Sequence, residues 1–223
     1  MSHRLPGPHS TGEPALPRLG AALADSLSAV QVALELLDTA GSSPPPEVIA
    51  LARTASRKAG VYRELLAALA RAHSLPLPPG ASEAGAVLRR ALETSEKDDR
   101  DAGVRVACPE NELLPVALSV PVLSDLFLAW WRGARSVLLD PGPIVLEPVP
   151  GGVEVRASGR LAISREHLAV ACGTRQVDRL AAVPVPAGAW YLAVAGVLAH
   201  RAGGEVRETE AGPVLFLPGY RRP

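Results

Sequence analysis

Five histidines and two cysteines carry whatever nucleophilic or metal-binding chemistry this 223-residue sequence can offer, and none stands in a recognisable constellation. His3 and His9 lie in MSHRLPGPHSTGEP, where Pro6, Gly7, Pro8, Gly12 and Pro14 predict a disordered tail over residues 1–14. A floppy, polar tail is a poor place to build a metal or phosphate site. His73 closes a long helical pattern, where a cation is favoured by the helix dipole. His167 follows a helix-capping signal and reads as a surface residue, and His200 stands beside Arg201 on the last helix, structural or solvated. Cys108 and Cys172 form no CxxC or Cys/His ligand spacing, so they read as reduced, partly buried thiols. There is no Walker loop, no G-x-S-x-G, no H-E-x-x-H and no obvious carboxylate pair. The expectation is no metal and no cofactor.

The elements that would position these residues follow from composition and periodicity. Hydrophobic residues make up 48% of the chain, enough to build a core for one or two compact domains. Lys+Arg 23 balances Asp+Glu 23, which argues against a general electrostatic grip on nucleic acid or anionic lipid. Met1 to Pro17 lacks the apolar run of a signal peptide, and no unbroken apolar run of about 18 residues suggests a membrane span. A cytoplasmic location is the default expectation.

Leu16 to Asp38 reads as a long helix, with Leu16, Leu19, Leu23, Leu27, Val30, Leu34 and Leu37 at spacings of three and four. Three prolines, Pro44 to Pro46, stop it. Glu47 to Ala72 is a second helix with a seam of Val48, Leu51, Ala55, Ala59, Tyr62, Leu65, Leu66 and Leu69. Two such helices make an antiparallel hairpin whose seams are too long to bury against each other alone. A four-helix bundle with a second copy is the preferred solution, and packing on the chain's own second domain is the other. The expected organisation is a hairpin over residues 15–74, a Pro/Gly-rich linker over 75–82 and an α+β sandwich over 83–223.

Within that second part, Glu83 to about Asp101 reads as a helix, Val104 to Cys108 as a strand, and Pro109 to Val120 as irregular with a short central strand. Pro121 to Ser136 reads as a helix with proline at its start. Ile144 to Pro148 and Val153 to Arg156 flank a turn at Pro150-Gly151-Gly152. Ser164 caps a short helix to about Cys172, with Glu166 in its first turn. From Trp190 an amphipathic helix runs to Gly203-Gly204, then a strand from Glu205 to Glu208, a turn at Glu210-Ala211-Gly212 and a strand from Val214 to Leu217.

That last order resembles the C-terminal end of the ATPase domain of sensor histidine kinases. Leu192-Ala193-Val194 and Gly203-Gly204 match the family's pattern, while Ala189 and Tyr191 stand where it keeps phosphate-loop glycines. LSAVQVALELL, Leu27 to Leu37, resembles the first helix of the family's dimerisation and phosphoacceptor domain. The resemblance implies a dimeric helical hairpin followed by a histidine-kinase-type ATPase sandwich with a mixed sheet and three main helices.

The polar residues of the family's reaction are missing from their positions. On the family's pattern Ala21 takes the place of the phosphorylated histidine, Ala22 of its acidic neighbour and Ser26 of the proline, and Leu16 to Asp38 holds no histidine. Ala129 and Gly133 replace the two asparagines of the magnesium-binding helix. Ala157 takes the place of the adenine-binding aspartate, with only Gly159 left of the glycines after it. Gly173 to Gly188 occupies the ATP-lid region without a glycine-rich phosphate grip.

The resemblance therefore implies a kinase-shaped protein without the reaction, a pseudokinase-like adaptor for a response regulator receiver or a partner kinase. The surface it assigns to that partner comprises Ala24, Asp25, Ser28 and Gln31 on the first helix and Arg57 and Arg63 on the second. One alternative is a histidine phosphotransferase that lacks ATP binding and relays phosphate through His73, the only histidine of the hairpin. Another is a DNA-binding or transcription-regulating module using the Arg-rich second helix and Arg221-Arg222. For Trp130, Trp131, Trp190 and Tyr191, filling a vacated nucleotide space and ordinary core packing stand as equal readings.

Overall fold

The computed structural model describes residues 15–40, 45–74, 76–78, 80–96, 105–108, 114–173 and 185–220. The N-terminal tail with His3 and His9, most of the lid region and Arg221-Arg222 lie outside them.

Helices α1 (Ala15–Ala40) and α2 (Pro46–Ser74) form the expected antiparallel hairpin. Proline at the start of α2 has no amide to leave unpaired there, and Glu47 in the first turn and Arg71 and His73 in the last complement the dipole. Among the described side chains of α1, Ser26 and Ala33 are buried, whereas Leu27, Val32, Leu34 and Leu36 are exposed. The second half of α2 behaves differently. Leu65, Leu69 and Ala72 are buried in the same core as the rest of the chain. The two leucines are fully covered, each contributing about 1.5–3 kcal/mol of burial. The hairpin thus packs on its own second part at one end, the solution the sequence did not favour. It still exposes apolar side chains along α1.

One helix of the hairpin is apolar on average although its sequence holds no unbroken apolar run. Gly20–Thr39 is long and apolar enough to cross a membrane by length and composition, with mean hydropathy 1.3. Asp25 and Glu35 interrupt it, but alanine and leucine between them keep the average high.

After the hairpin, β1 (Ser82–Glu83) pairs antiparallel with β3 (Pro115–Val116), so Ser82 of the expected linker already belongs to a strand. Helix α3 (Ala84–Glu96) starts one residue later than expected. The reason is Glu83, whose carboxylate accepts from the backbone N–H groups of Gly85, at 3.0 Å, and Ala86. β2 (Val106–Ala107) follows. Helix α4 (Val120–Val137) starts at Ser119 with proline in its first turn and runs into β4 (Leu138–Leu139). β5 (Ile144–Val149), β6 (Gly152–Ala157) and β7 (Arg160–Leu161) lead to α5 (Arg165–Cys172). Ser164 caps α5, its hydroxyl accepting from the His167 N–H.

A single 3-10 turn (Ala187–Trp190) enters α6 (Tyr191–Arg201). The Gly204 N–H returns to the Ala199 carbonyl and the Gly203 N–H to that of His200, and Gly203 takes φ 78°. This double closure needs a left-handed residue, which glycine supplies without a Cβ penalty. β8 (Glu205–Glu208) and β9 (Pro213–Pro218) end the described chain.

The main sheet is mixed, in the order β2-β5-β6-β9-β8, parallel only between β2 and β5. Alternation along β6 sends Val153, Val155 and Ala157 to the helix side, where they join α3 to α6 in one core. Glu154 and Arg156 take the other face. There the Glu154 carboxylate accepts from Arg156 at 2.7 and 3.0 Å and from Arg207. The result is an α+β sandwich behind a helical hairpin.

Candidate functional site

Helix α4 and the segment that opens α6 meet closely at two glycines. A Cβ built on Gly133 would lie 2.6 Å from Leu192 Cγ, and one on Gly188 would lie 2.7 Å from Ser136 Cβ. Both glycines are therefore required by close approach, and α4 and α6 are pressed together at Gly133. Trp130, Trp131 and Trp190 are all buried in the core, the first two with ring centroids 6.5 Å apart. Core packing is the outcome for these three tryptophans.

Tyr191 differs. It is half-buried and lines a cleft of about 280 Å³ bounded by three helices. Helix α2 contributes Ala68, Arg71 and Ala72, α4 contributes Asp125, Leu128, Ala129 and Arg132, and α6 adds Tyr191, Val194 and Leu198. The Arg132 guanidinium stands over the Tyr191 ring, 5.7 Å from its centroid. The cleft is roofed by the hairpin, whose last turn is tied down by a hydrogen bond from Arg201 to the Ala72 carbonyl.

The positions singled out in the sequence are only partly brought together. Ala129 and Tyr191 face this cleft, while Gly133 and Ala189 are buried where α4 and α6 close. Ala157 is buried at the end of β6, and the Gly159 N–H donates to the Ala211 carbonyl in the neighbouring turn. Ala24, Ser28 and Gln31 recur along one exposed side of α1 with Asp25 beside them, and Gln31 bonds Glu35 at 3.2 Å. Arg57 and Arg63 are exposed on α2, but six residues apart they point about 120° from each other around the helix. His73 is exposed on the last turn of α2, and no hydrogen bond orients it among the described residues.

Arg71, Asp125 and Arg132 escaped the sequence reading. Asp125, Ala129 and Arg132 carry the signal, since spacings of four and three place them on one helix face. Arg71 carried none, because only the docking of α2 brings it near.

Elsewhere the titratable groups describe a structural interior. Burial pushes the Cys172 thiol well above its ordinary range, and the Glu208 carboxylate adds to this. Cys108 is also raised by burial, with Arg89 opposing and Glu83 reinforcing. Neither is an activated nucleophile. Among the described residues no cluster of three His, Cys, Asp or Glu side chains could hold a metal ion.

No protein-family model matches the sequence, and no curated protein matches it. Solved structures do. The histidine kinase AdeS of Acinetobacter baumannii aligns over 90% of this chain and 98% of its own, at 14% identity and a TM-score of 0.56. Full-length ShkA, solved in complex with AMPPNP, aligns over 95% of this chain and 45% of its own, at 16% identity and a TM-score of 0.51. The mycobacterial sensor histidine kinase MprB aligns over 65% of this chain and 100% of its own, at 16% identity and a TM-score of 0.48. At these identities the likeness is one of fold: helical hairpin and sandwich together have the architecture of a histidine-kinase catalytic core.

Proposed function

We propose that this chain is a cytoplasmic, dimeric, kinase-shaped adaptor of bacterial two-component signalling. It binds a response regulator receiver or a partner kinase and carries out no ATP-dependent phosphorylation. The observation that carries the reading is the closure of α4 on α6 at Gly133. The position that resembles the family's second asparagine has no space for any side chain beyond hydrogen. One turn earlier, Ala129 offers no oxygen to a hard cation. Ala157 presents no carboxylate to an adenine, and Ala189 and Tyr191 crowd the place of flexible glycines. The residues present do not fit a magnesium nucleotide.

Exposed Leu27 and Leu34 on α1 support self-association, since they share one side of the helix and no described residue covers them. The exposed side carrying Ala24, Asp25, Ser28 and Gln31 is the proposed contact for the partner, with Arg57 and Arg63 at its margin.

Calorimetry with Mg-ATP tests the first part. No heat of binding up to millimolar nucleotide is expected, and a micromolar affinity would overturn the reading. Incubation with phosphorylated receiver domains tests the phosphotransferase alternative, which the exposure of His73 keeps in play. Stable co-elution with a receiver, without label appearing on the chain, is the adaptor outcome. Label that appears and is abolished by His73→Ala is the transferase outcome.

A further inference from the structure

The cleft under the hairpin has the make-up of a binding site, and its walls belong to two parts of the fold at once. Its floor is apolar and built from small residues: Ala68 and Ala72 of α2 face Ala129 of α4, with Leu128, Val194 and Leu198 beside them. Larger residues at the three alanines would have filled the space, as close packing fills interiors elsewhere. Its rim is charged, with Arg71 from the hairpin and Arg132 and Asp125 from the sandwich. Among the described residues neither arginine has an ion-pair partner, and the Arg132 guanidinium is held in place over the Tyr191 ring. A volume of about 280 Å³ lies just below the roughly 300–1,000 Å³ of pockets that hold drug-sized ligands, and is small for a nucleoside triphosphate.

We infer that this cleft binds a small organic anion, a carboxylate or phosphate head on a compact apolar body, between Arg71 and Arg132. The head lies between the guanidinium groups, which favour planar, two-pronged contacts with carboxylate or phosphate oxygens. The body lies on Leu128, Val194 and Leu198. Asp125 limits the charge the site accepts, disfavouring polyanions by repulsion. Because Arg71 rides on α2 and Arg132 on α4, the bound anion fastens the hairpin to the sandwich and holds α2 in the orientation seen here. The inference stands apart from the loss of kinase chemistry, as it needs only the cleft and its two arginines.

Phenyl phosphate and benzoate are the probes, titrated into the full chain by calorimetry, with benzyl alcohol and inorganic phosphate as separate arms. Saturable binding of an aromatic anion is expected at a Kd between about 10 μM and about 1 mM, with benzyl alcohol silent. Arg71→Ala and Arg132→Ala should each weaken it at least about tenfold. Ala72→Leu should abolish it by filling the floor, with far-UV dichroism unchanged. Hydrogen exchange on the last turns of α2 should slow when ligand is added. Binding by inorganic phosphate as tight as by phenyl phosphate would sink the apolar floor. Binding indifferent to both arginine variants, or no binding by either aromatic anion, would overturn the site itself. Mg-ATP that binds and is displaced by phenyl phosphate would count against the adaptor reading while leaving the cleft standing as a site.

Discussion

Gly133 lies so close to Leu192 that a Cβ on the glycine would sit 2.6 Å from Leu192 Cγ and 2.7 Å from its backbone nitrogen. A rotamer change can move the first atom but not the second. Gly133→Ala should therefore destabilise the fold by about 1–3 kcal/mol, although alanine in an ordinary helix interior gains about 1 kcal/mol over glycine. Gly133→Asn should cost at least as much, and Ala129→Asn with Gly133→Asn should not restore Mg-ATP binding. Urea denaturation reads the first effect. An alanine variant as stable as the parent would mean that α4 and α6 stand further apart than described.

That contact was not legible in the sequence, where a glycine inside a helical pattern signals only a weak helix former. Ser164, by contrast, announced the start of α5 because capping is local, and Gly203-Gly204 announced the end of α6 for the same reason. Local chemistry also gave the β5–β6 hairpin and the mixed sheet's last two strands. Packing partners were another matter. Leu65 and Leu69 fit a seam against α1 and a seat on α6 equally well, since both partners ask only for apolar surface at helical spacing. The three-dimensional arrangement puts both leucines in the core shared with the sandwich, and the same docking of α2 places Arg71 in one cleft with Arg132.

Glu154 leads to the second expectation. Its carboxylate is nearly covered, with 7% of the side chain exposed, and it holds Arg156 and Arg207 on the face of the sheet away from the helices. Removing it leaves two guanidinium groups facing each other across β6, β9 and β8. Glu154→Ala should cost about 1–3 kcal/mol, the lower part of the range being favoured because both arginines remain nearly half exposed. Added salt should narrow the gap from the parent by screening the arginines from each other. A variant of unchanged stability at low salt would show that the cluster is ornament on a sheet held by its core.

Leu27 and Leu34 lead to the third. They lie seven residues apart, two helical turns, and so share one side of α1. Leu27→Glu with Leu34→Glu should turn a dimer into a monomer in light scattering behind size exclusion, while leaving the sandwich folded. A parent chain that is monomeric at tens of micromolar would remove the basis for a four-helix bundle. A double variant that remains dimeric would move the interface to the other side of α1, where Val32 and Leu36 are exposed.

Cys172 gives stability a pH dependence whose sign is fixed. Its thiol is 2% exposed and held well above the ordinary value of 9.0 by burial. Below pH 9.0 the thiol is protonated in both states and contributes fully. As pH rises past 9.0 the unfolded chain gives up this proton and the folded one keeps it, so the unfolded state gains. Unfolding free energy should fall with pH there, by at most about 1.4 kcal/mol per pH unit for this one group. Cys108 is raised from the same starting value but only partly buried, and the Tyr62 phenol, also raised by burial, starts from 10.0. Between about pH 8 and about pH 10 the difference in slope between the parent and Cys172→Ala therefore reports Cys172 itself. The variant should be less stable at neutral pH, from the small cavity left behind, and the gap should close as pH rises. Native thiol labelling should reach Cys108 first. Parallel pH profiles for parent and variant, or labelling of Cys172 at the rate of Cys108, would show that α5 opens readily and does not seal the thiol between itself and α6.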